Sequence, residues 1–254
     1  MESTNKYFFK DMSVMFGRSM SHIFRSMDTI ITVCLTPIAM MLLFVYVFGG
    51  AIKTGTENYI NYILPGIMLM AIGSGISYVS YRIFIDKERG IFERFHSMPI
   101  ARSTVLWGHV LTSLISNGIS VIVIILVALL MGFRSSAGIL EWLAVFGILG
   151  IFTLTLTWIA VIAGLAAKTP DGAVAFAYPI IFLPFISSAF VPTDTMPSTV
   201  RVFAENQPVT PIVETIRNLL SNKPVGNEIW IALAWCIAIM VIAYIIAMMI
   251  DKKL

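Results

Sequence analysis

Charge is what this sequence has least of. Only 12% of its 254 residues are Asp, Glu, Lys or Arg, while 58% are hydrophobic and mean hydropathy is +0.89. A water-soluble domain carries about a quarter charged residues, because its surface has to be hydrated. Half that share argues against an ordinary soluble fold and points to lipid as the solvent. Histidine and cysteine are scarce as well, being limited to His22, His96 and His109, and to Cys34 and Cys236. Neither a metal site nor a catalytic triad is expected from them, and both cysteines read as small apolar residues. No G-x-x-x-x-G-K-[ST] phosphate loop, H-E-x-x-H or G-x-S-x-G occurs, so no ATP site of the first kind and no catalytic centre of the others is expected. There is no low-complexity tract and no clear internal repeat, which weakens a transporter built from inverted repeats. The first 28 residues lack an uninterrupted apolar core, so no cleavable signal is expected and the first span serves as an anchor.

What is present is a set of long apolar stretches. A helix needs ~20 apolar residues to cross ~30 Å of hydrocarbon. Six stretches qualify: Thr29–Gly49, Ile60–Tyr81, Val105–Met131, Trp142–Ala166, Val174–Val191 and Ile229–Ile250, none holding a charged residue. One charge at a helix centre costs ~2.5–3.5 kcal/mol on insertion scales, so its absence from all six is informative. The fifth stretch is short and holds Pro179 and Pro184, so a kink is expected there. With no Asp, Glu, Lys or Arg in a span, a proton relay is not expected.

Lys and Arg set the orientation. Twelve lie in the N-terminal segment, the loops after spans two and four, and the tail; five lie in the remaining loops. Cationic residues stay in the cytosol, which puts both termini inside, as an even number of spans also requires. The net charge of +3 is explained by this asymmetry, and no nucleic-acid partner is expected.

Residues 5–27 alternate apolar and basic positions at helical spacing, with Phe8, Met12, Met15, Phe16, Met20 and Ile23 against Lys6, Lys10, Arg18 and Arg25. Such a segment is an amphipathic helix on the membrane surface or, failing that, a solvated tail. Two loops are long, Arg82–Thr104 inside and Pro192–Glu228 outside, and long loops usually carry structure or function. Outside, Pro197 opens a short helix through Glu205, and Thr210-Pro211 starts a second through Leu220 whose apolar positions share a face. Glu214 and Arg217 fit its dipole. The pair would form a cap on, or dipping into, the outer leaflet.

Polar residues within the spans have structural roles first. Ala71 and Gly75 form a small-xxx-small pair suited to close helix contact, and Ser113, Ser116, Asn117, Ser120, Thr153, Thr155 and Thr157 suit hydrogen bonds between helices. The inner loop is richer, mixing charges of both signs with Ile83, Phe84, Ile91, Phe92 and Phe95. Apolar anchors with charges that set register suit a protein-docking element, the alternative being an interfacial helix packed on its own chain.

Glu88-Arg89-Gly90-Ile91-Phe92-Glu93-Arg94-Phe95, followed by Ser97-Met98-Pro99-Ile100-Ala101-Arg102-Ser103, resembles the cytoplasmic loop of ABC-2 type transporter permeases, in particular the daunorubicin-resistance group. Ser188-Ala189-Phe190-Val191-Pro192-Thr193-Asp194-Thr195-Met196-Pro197 and Phe203–Pro211 resemble the outer segment of the same group. The resemblance implies an all-α integral membrane protein of six transmembrane helices. It divides into an N-terminal amphipathic interface helix (1–28) and a transmembrane domain (29–254). Within that domain, 82–104 is a coupling loop with a cytoplasmic coupling helix, and 192–228 is an extracellular cap of short helices. By the same resemblance Glu88, Arg89, Gly90, Glu93, Arg94 and Phe95 couple to a separate ABC ATPase subunit, with Gly90 allowing a turn or a close approach. ATP and Mg would belong to that partner, with no cofactor on this chain. A second permease, the same or a related chain, would complete a route for a drug, antibiotic or lipid-like substrate across the bacterial plasma membrane. Ser74, Ser77, Ser187 and Ser188 would line it, because the family sets spans two and five beside the path. The rivals are a stand-alone secondary transporter or channel, and a membrane scaffold that transports nothing.

Overall fold

The computed structural model describes residues 17, 27–49, 58–92 and 103–251. The interface helix expected over 5–27 falls outside them but for Gly17 and Met27, as do Glu93, Arg94 and Phe95. Among the described residues there is no strand.

Helix α1 spans Met27–Leu42 and runs directly into a π-helical turn, Leu43–Phe48. α2 is Tyr59–Glu88, α3 Ser103–Leu130 and α4 Ile139–Ala166. The fifth stretch is broken into α5 (Pro170–Ala175), α6 (Ala177–Phe182) and a 3-10 turn, Leu183–Ile186. On the far side of the bundle lie α7 (Ser198–Asn206) and α8 (Val209–Leu220), and α9 (Glu228–Asp251) closes the chain. Four helices are long and apolar enough to cross a membrane, namely α2, α3 (counted from Thr104), α4 and α9. The other two expected spans correspond to shorter apolar helical runs, Cys34–Phe48 and Pro170–Ile186.

Local chemistry explains the breaks. Thr169 caps α5 by accepting from the Gly172 amide at 3.1 Å, with Pro170 at the first helical position, where a missing N–H costs nothing. Pro179 and Pro184 then remove two further donors, so the expected kink becomes a chain of short turns. α2 departs from expectation in the other direction, running seven residues beyond Tyr81. Arg82–Glu88, expected as loop, forms its last two turns. It stops at Gly90, whose φ of +64° is a left-handed conformation that glycine adopts without penalty. There the amides of Arg89 and Gly90 return to the carbonyls of Ile85 and Lys87, both at 3.0 Å, in the usual manner of a glycine helix end.

α2 is the axis of the bundle, packed against α1, α3, α4, α5, α6 and α8. Small residues let the neighbours come close. A Cβ at Gly75 would collide with the Asn117 amide of α3. One at Gly164 of α4 would lie 2.6 Å from the Ser80 carbonyl oxygen and 2.8 Å from Ile83 Cβ. The Ala71/Gly75 pattern thus does mark a helix crossing at Gly75. Hydroxyls link the helices as expected: Ser113 and Thr157 share a hydrogen bond of 2.8 Å between α3 and α4, and Thr155 donates to the Cys236 carbonyl of α9 at 3.0 Å. Trp158 stands edge-on to both Trp107 and Tyr244, at 5.3 and 4.8 Å. Both cysteines are buried. α9 packs on α4 and α8 and turns Trp230, Trp235, Ile242, Ile245 and Met249 outward, the pattern of a lipid-facing helix.

The two outer helices differ in kind. α7 exposes Val200, Val202 and Phe203, which suits the expected position at the leaflet. α8 packs instead into the bundle, against α2, α4 and α9, with Ile212, Val213 and Ile216 fully covered. The reason is its stripe: Val209, Ile212, Val213, Ile216, Leu219 and Leu220 are all buried, too much apolar surface to leave on a rim.

Candidate functional site

Around most of its circumference α2 is covered by protein, but one line of its second half is not. Ser74, Ser77, Tyr78, Tyr81, Arg82, Ile85, Glu88 and Arg89 are half-buried or exposed. They recur at intervals of three and four, so they form a single stripe. In the broken segment Tyr178, Phe182 and Ile186 are exposed as well. A polar stripe on the central helix of an apolar bundle is what a route, or a partner surface, requires; a lipid-facing stripe would be apolar.

Where the stripe approaches the Gly90 end, a small open cleft lies between α2 and α3. Tyr78, Val79 and Arg82 form one wall, and His109, Thr112, Ser113 and Ser116 the other. His109 is held by a buried polar contact, its Nε2 3.2 Å from Asp86 Oδ2, with both side chains more than nine-tenths covered. Next to it, Lys87 Nζ donates to the Leu165 carbonyl at 2.7 Å and reaches the Ala167 carbonyl at 3.5 Å. A cation at the last carbonyls of α4 is a favourable dipole contact. These three side chains explain why the helix continues past Tyr81: each charge has a protein partner or a water-facing path.

At the opposite end of α2 the key residue is Arg217 of α8. Its guanidinium donates to the Tyr62 carbonyl (3.2 Å), the Ser188 carbonyl (2.6 Å) and Glu214 Oε1 (2.6 Å), and lies 3.7 Å from the centre of the Tyr62 ring. Tyr59 Oη adds a bond to the Phe190 carbonyl at 3.0 Å, and Gln207 Nε2 one to Ile186 at 2.9 Å. On the exposed rim, Arg201 pairs with Glu205 and Asp194. The Glu205 hydrogen bond first, then both carboxylate charges, push its pKa above the ordinary value.

The residues expected from the sequence fall in three places. Glu88, Arg89 and Gly90 are together at the end of α2, the first two exposed, while Glu93, Arg94 and Phe95 lie outside the described residues. Ser74 and Ser77 are on the open stripe, Ser74 donating to the Met70 carbonyl at 3.0 Å. Ser187 and Ser188 are buried near the Arg217 cluster. There Ser187 bonds the Pro184 carbonyl at 2.6 Å and accepts from the Ala189 amide, while Ser188 gives its carbonyl to Arg217. The structure therefore does not bring the two serine pairs together. From the sequence, Arg217 has only a dipole role, His109 is set aside as a metal or triad residue, and no role is assigned to Asp86 or Arg82. Arg217 had a signal, because it sits four residues after Val213 and three before Leu220, in the middle of an apolar face where a surface cation would not belong. Asp86 had one too, three residues past Ile83 on the buried face of a helix taken to end at Tyr81.

A bundle of apolar helices around a buried axial helix, with hydroxyl links between helices, defines a multi-pass helical membrane protein. Among the described residues no cluster of His, Cys, Asp and Glu could hold a metal ion. The chain belongs to the ABC-2 type transporter family, whose model matches residues 10–220. It is 26% identical over 213 residues to the daunorubicin resistance ABC transporter permease protein of Streptomyces coeruleorubidus, covering 80% of this chain and 74% of that protein. It is 25% identical over 224 residues to the "Probable doxorubicin resistance ABC transporter permease protein" of Mycobacterium tuberculosis, covering 86% of this chain and 79% of the relative. Both relatives are transport permeases.

Proposed function

We propose that this chain is the permease subunit of an ATP-driven ABC-2 type exporter. It works with a second permease and with a separate ATPase subunit that binds ATP and Mg. The observation that carries this is the family match over residues 10–220. Two further features support it. The charged end Glu88-Arg89-Gly90 belongs to the same rigid helix as the open stripe, so a push on that end moves the stripe directly. And the stripe is polar on an otherwise apolar bundle, as expected of a surface that faces a partner permease across a route.

The chain is read as six spans, with α1 and the broken α5–α6 run added to the four long helices, and with both termini in the cytosol of a bacterial cell. Glu88, Arg89 and Gly90, with Glu93, Arg94 and Phe95, receive the ATPase. Movement of α2 about its fixed outer end then opens and closes the route along Ser74, Ser77, Tyr78 and Tyr81. The cargo is an amphipathic drug, antibiotic or lipid-like molecule. The test is to purify the tagged chain from its host in mild detergent and assay for a co-purifying nucleotide-hydrolysing subunit. Charge reversal at Glu93 and Arg94 should release that subunit without loss of membrane insertion. Flux that persists with no ATPase present would instead favour a secondary transporter or channel, and partner binding without flux a scaffold.

A further inference from the structure

We propose that the cleft between α2 and α3 binds the oxyanion head group of a membrane-borne amphiphile, with Arg82 and Tyr78 as its donors. This gives a ligand class to the stripe and rests on the reading of that stripe as part of a transport route. The starting point is the set of described cations that are at least half covered by protein. Lys87 reaches two carbonyls, Arg201 two carboxylates and Arg217 a carboxylate and three carbonyls. Arg82 is half-buried too and lines the cleft, yet among the described residues no ion pair or hydrogen bond includes it. Asp86, one turn further along, is turned to His109 and does not line the cleft. A guanidinium drawn partly out of water with its five donors unmatched calls for an acceptor with several oxygens.

The two walls of this mostly apolar cleft differ in the hydrogen-bonding groups they hold. Tyr78 lies one turn before Arg82 on the same wall, and its hydroxyl, like the guanidinium, has no partner among the described residues. On the α3 wall the hydroxyls are already spent as donors. Thr112 gives its proton to the Gly108 carbonyl at 2.7 Å and Ser116 to the Ser113 carbonyl at 3.1 Å. They therefore present lone pairs. Donors on one wall and acceptors on the other suit a head group in which a phosphate adjoins hydroxyls.

Depth agrees with this chemistry. Arg82 is twenty residues from Tyr62, or about 30 Å along a helix at 1.5 Å per residue. That is about one hydrocarbon thickness from the Arg217–Tyr62 cluster, so the cleft stands at head-group level on the opposite side. A basic side chain between helices at that depth is a general means of holding acidic lipid heads. The bland alternative is an arginine that merely extends its head into water, which would confer no lipid selectivity.

Phosphatidylglycerol is the probe, since its phosphate diester and glycerol hydroxyls match the two walls. The full chain is purified as wild type, R82Q, R82K, Y78F and K168Q. Each is equilibrated in detergent with equal phosphatidylglycerol and phosphatidylcholine, and the retained lipids are counted by native mass spectrometry. Wild type and K168Q, which removes an exposed cation, should retain phosphatidylglycerol about tenfold over phosphatidylcholine, the difference one charged hydrogen bond makes. R82Q should lose the preference, and R82K and Y78F should keep part of it. If R82Q does not fold, as judged by its unfolding midpoint, Y78F carries the test. Equal retention of the two lipids by wild type, or an undiminished preference in R82Q or Y78F, would overturn the proposal. So would displacement of the lipid by millimolar glycerol 3-phosphate, which would make the site one for an aqueous anion. No ATPase subunit enters this measurement. A missing ATPase partner would leave lipid selectivity standing, and lost selectivity would leave co-purification standing.

Discussion

At its Tyr62 end α2 is gripped by Arg217, a side chain from another helix that ties together the Tyr62 carbonyl, the Ser188 carbonyl and Glu214. At its Gly90 end the contacts among the described residues are of a different kind: Asp86 meets His109, Lys87 reaches the end of α4, and Arg82 lies in an open cleft. The first arginine is satisfied and the second is not. On the function proposed above α2 works as a lever, tied down by Arg217 at one end and driven at the end that carries Glu88, Arg89 and Gly90. The contrast teaches that a charge in a membrane bundle is structural where its partners converge and functional where they are missing.

The largest effect should come from breaking the fixed end. Replacing Arg217 by alanine strips Glu214 and three carbonyls of their donor, and removing one partner of such a largely covered network costs about 3 kcal/mol. Thermal unfolding of R217A in detergent should therefore begin many degrees below wild type. R82A should stay within about 0.5 kcal/mol of wild type, as changes away from packed features do. If the two variants lose equal stability, the difference between the ends is not real.

Next comes the contact that sets how closely α4 approaches the Gly90 end. Gly164→Ala would put a methyl against the Ser80 carbonyl and Ile83. Backbone cannot step aside as a side-chain tip can, so overpacking of about 2 kcal/mol is expected, read as a lower denaturation midpoint. Gly75→Ala should cost less, because what it meets is the Asn117 amide, which can rotate. Equal costs would mean that the helices give way at both crossings.

How much of this could be read from the residues follows the same division. The spans were legible because hydropathy is a property of sequence alone: α4 begins three residues before, and α9 one residue before, the stretches marked by composition. The short outer helices were legible from Pro197, Pro208 and Pro211 with an apolar period between them. The far half of the site was not. Arg82 looks like the end of a span because a charge normally is one; only the Asp86–His109 pairing across two helices shows why the helix continues. Ser187 and Ser188 resemble Ser74 and Ser77 in type, yet the broken backbone after Pro184 turns them to the Arg217 cluster instead of towards the stripe. Pairing between distant helices and the direction of an irregular segment have no period to read.

The Asp86–His109 contact itself should give the third effect. A cycle of D86N, H109Q and the double variant isolates the coupling between the two side chains. For a pair so thoroughly covered a coupling of about 1.5 kcal/mol is expected in chemical denaturation. Additive losses would mean that the two residues contribute separately and that α3 is not tied to the Gly90 end of α2.

The smallest stability change, and the most direct test of the lever, is at Gly90. With φ at +64°, Gly90→Ala should cost about 1 kcal/mol, because a Cβ is disfavoured in the left-handed region, whereas Gly90→Asn should cost much less, asparagine tolerating that region better than most residues. Stability alone would only show that a helix end has been strained. The informative comparison is transport-linked ATP hydrolysis in vesicles holding the chain with its ATPase. If the turn at Gly90 sets the angle at which Glu88 and Arg89 meet that subunit, G90A should lower substrate-stimulated hydrolysis severalfold and G90N should restore most of it. If both variants hydrolyse ATP like wild type while G90A is measurably less stable, the turn ends a helix and does nothing more. The Gly90 end of α2 would then not be a point of drive.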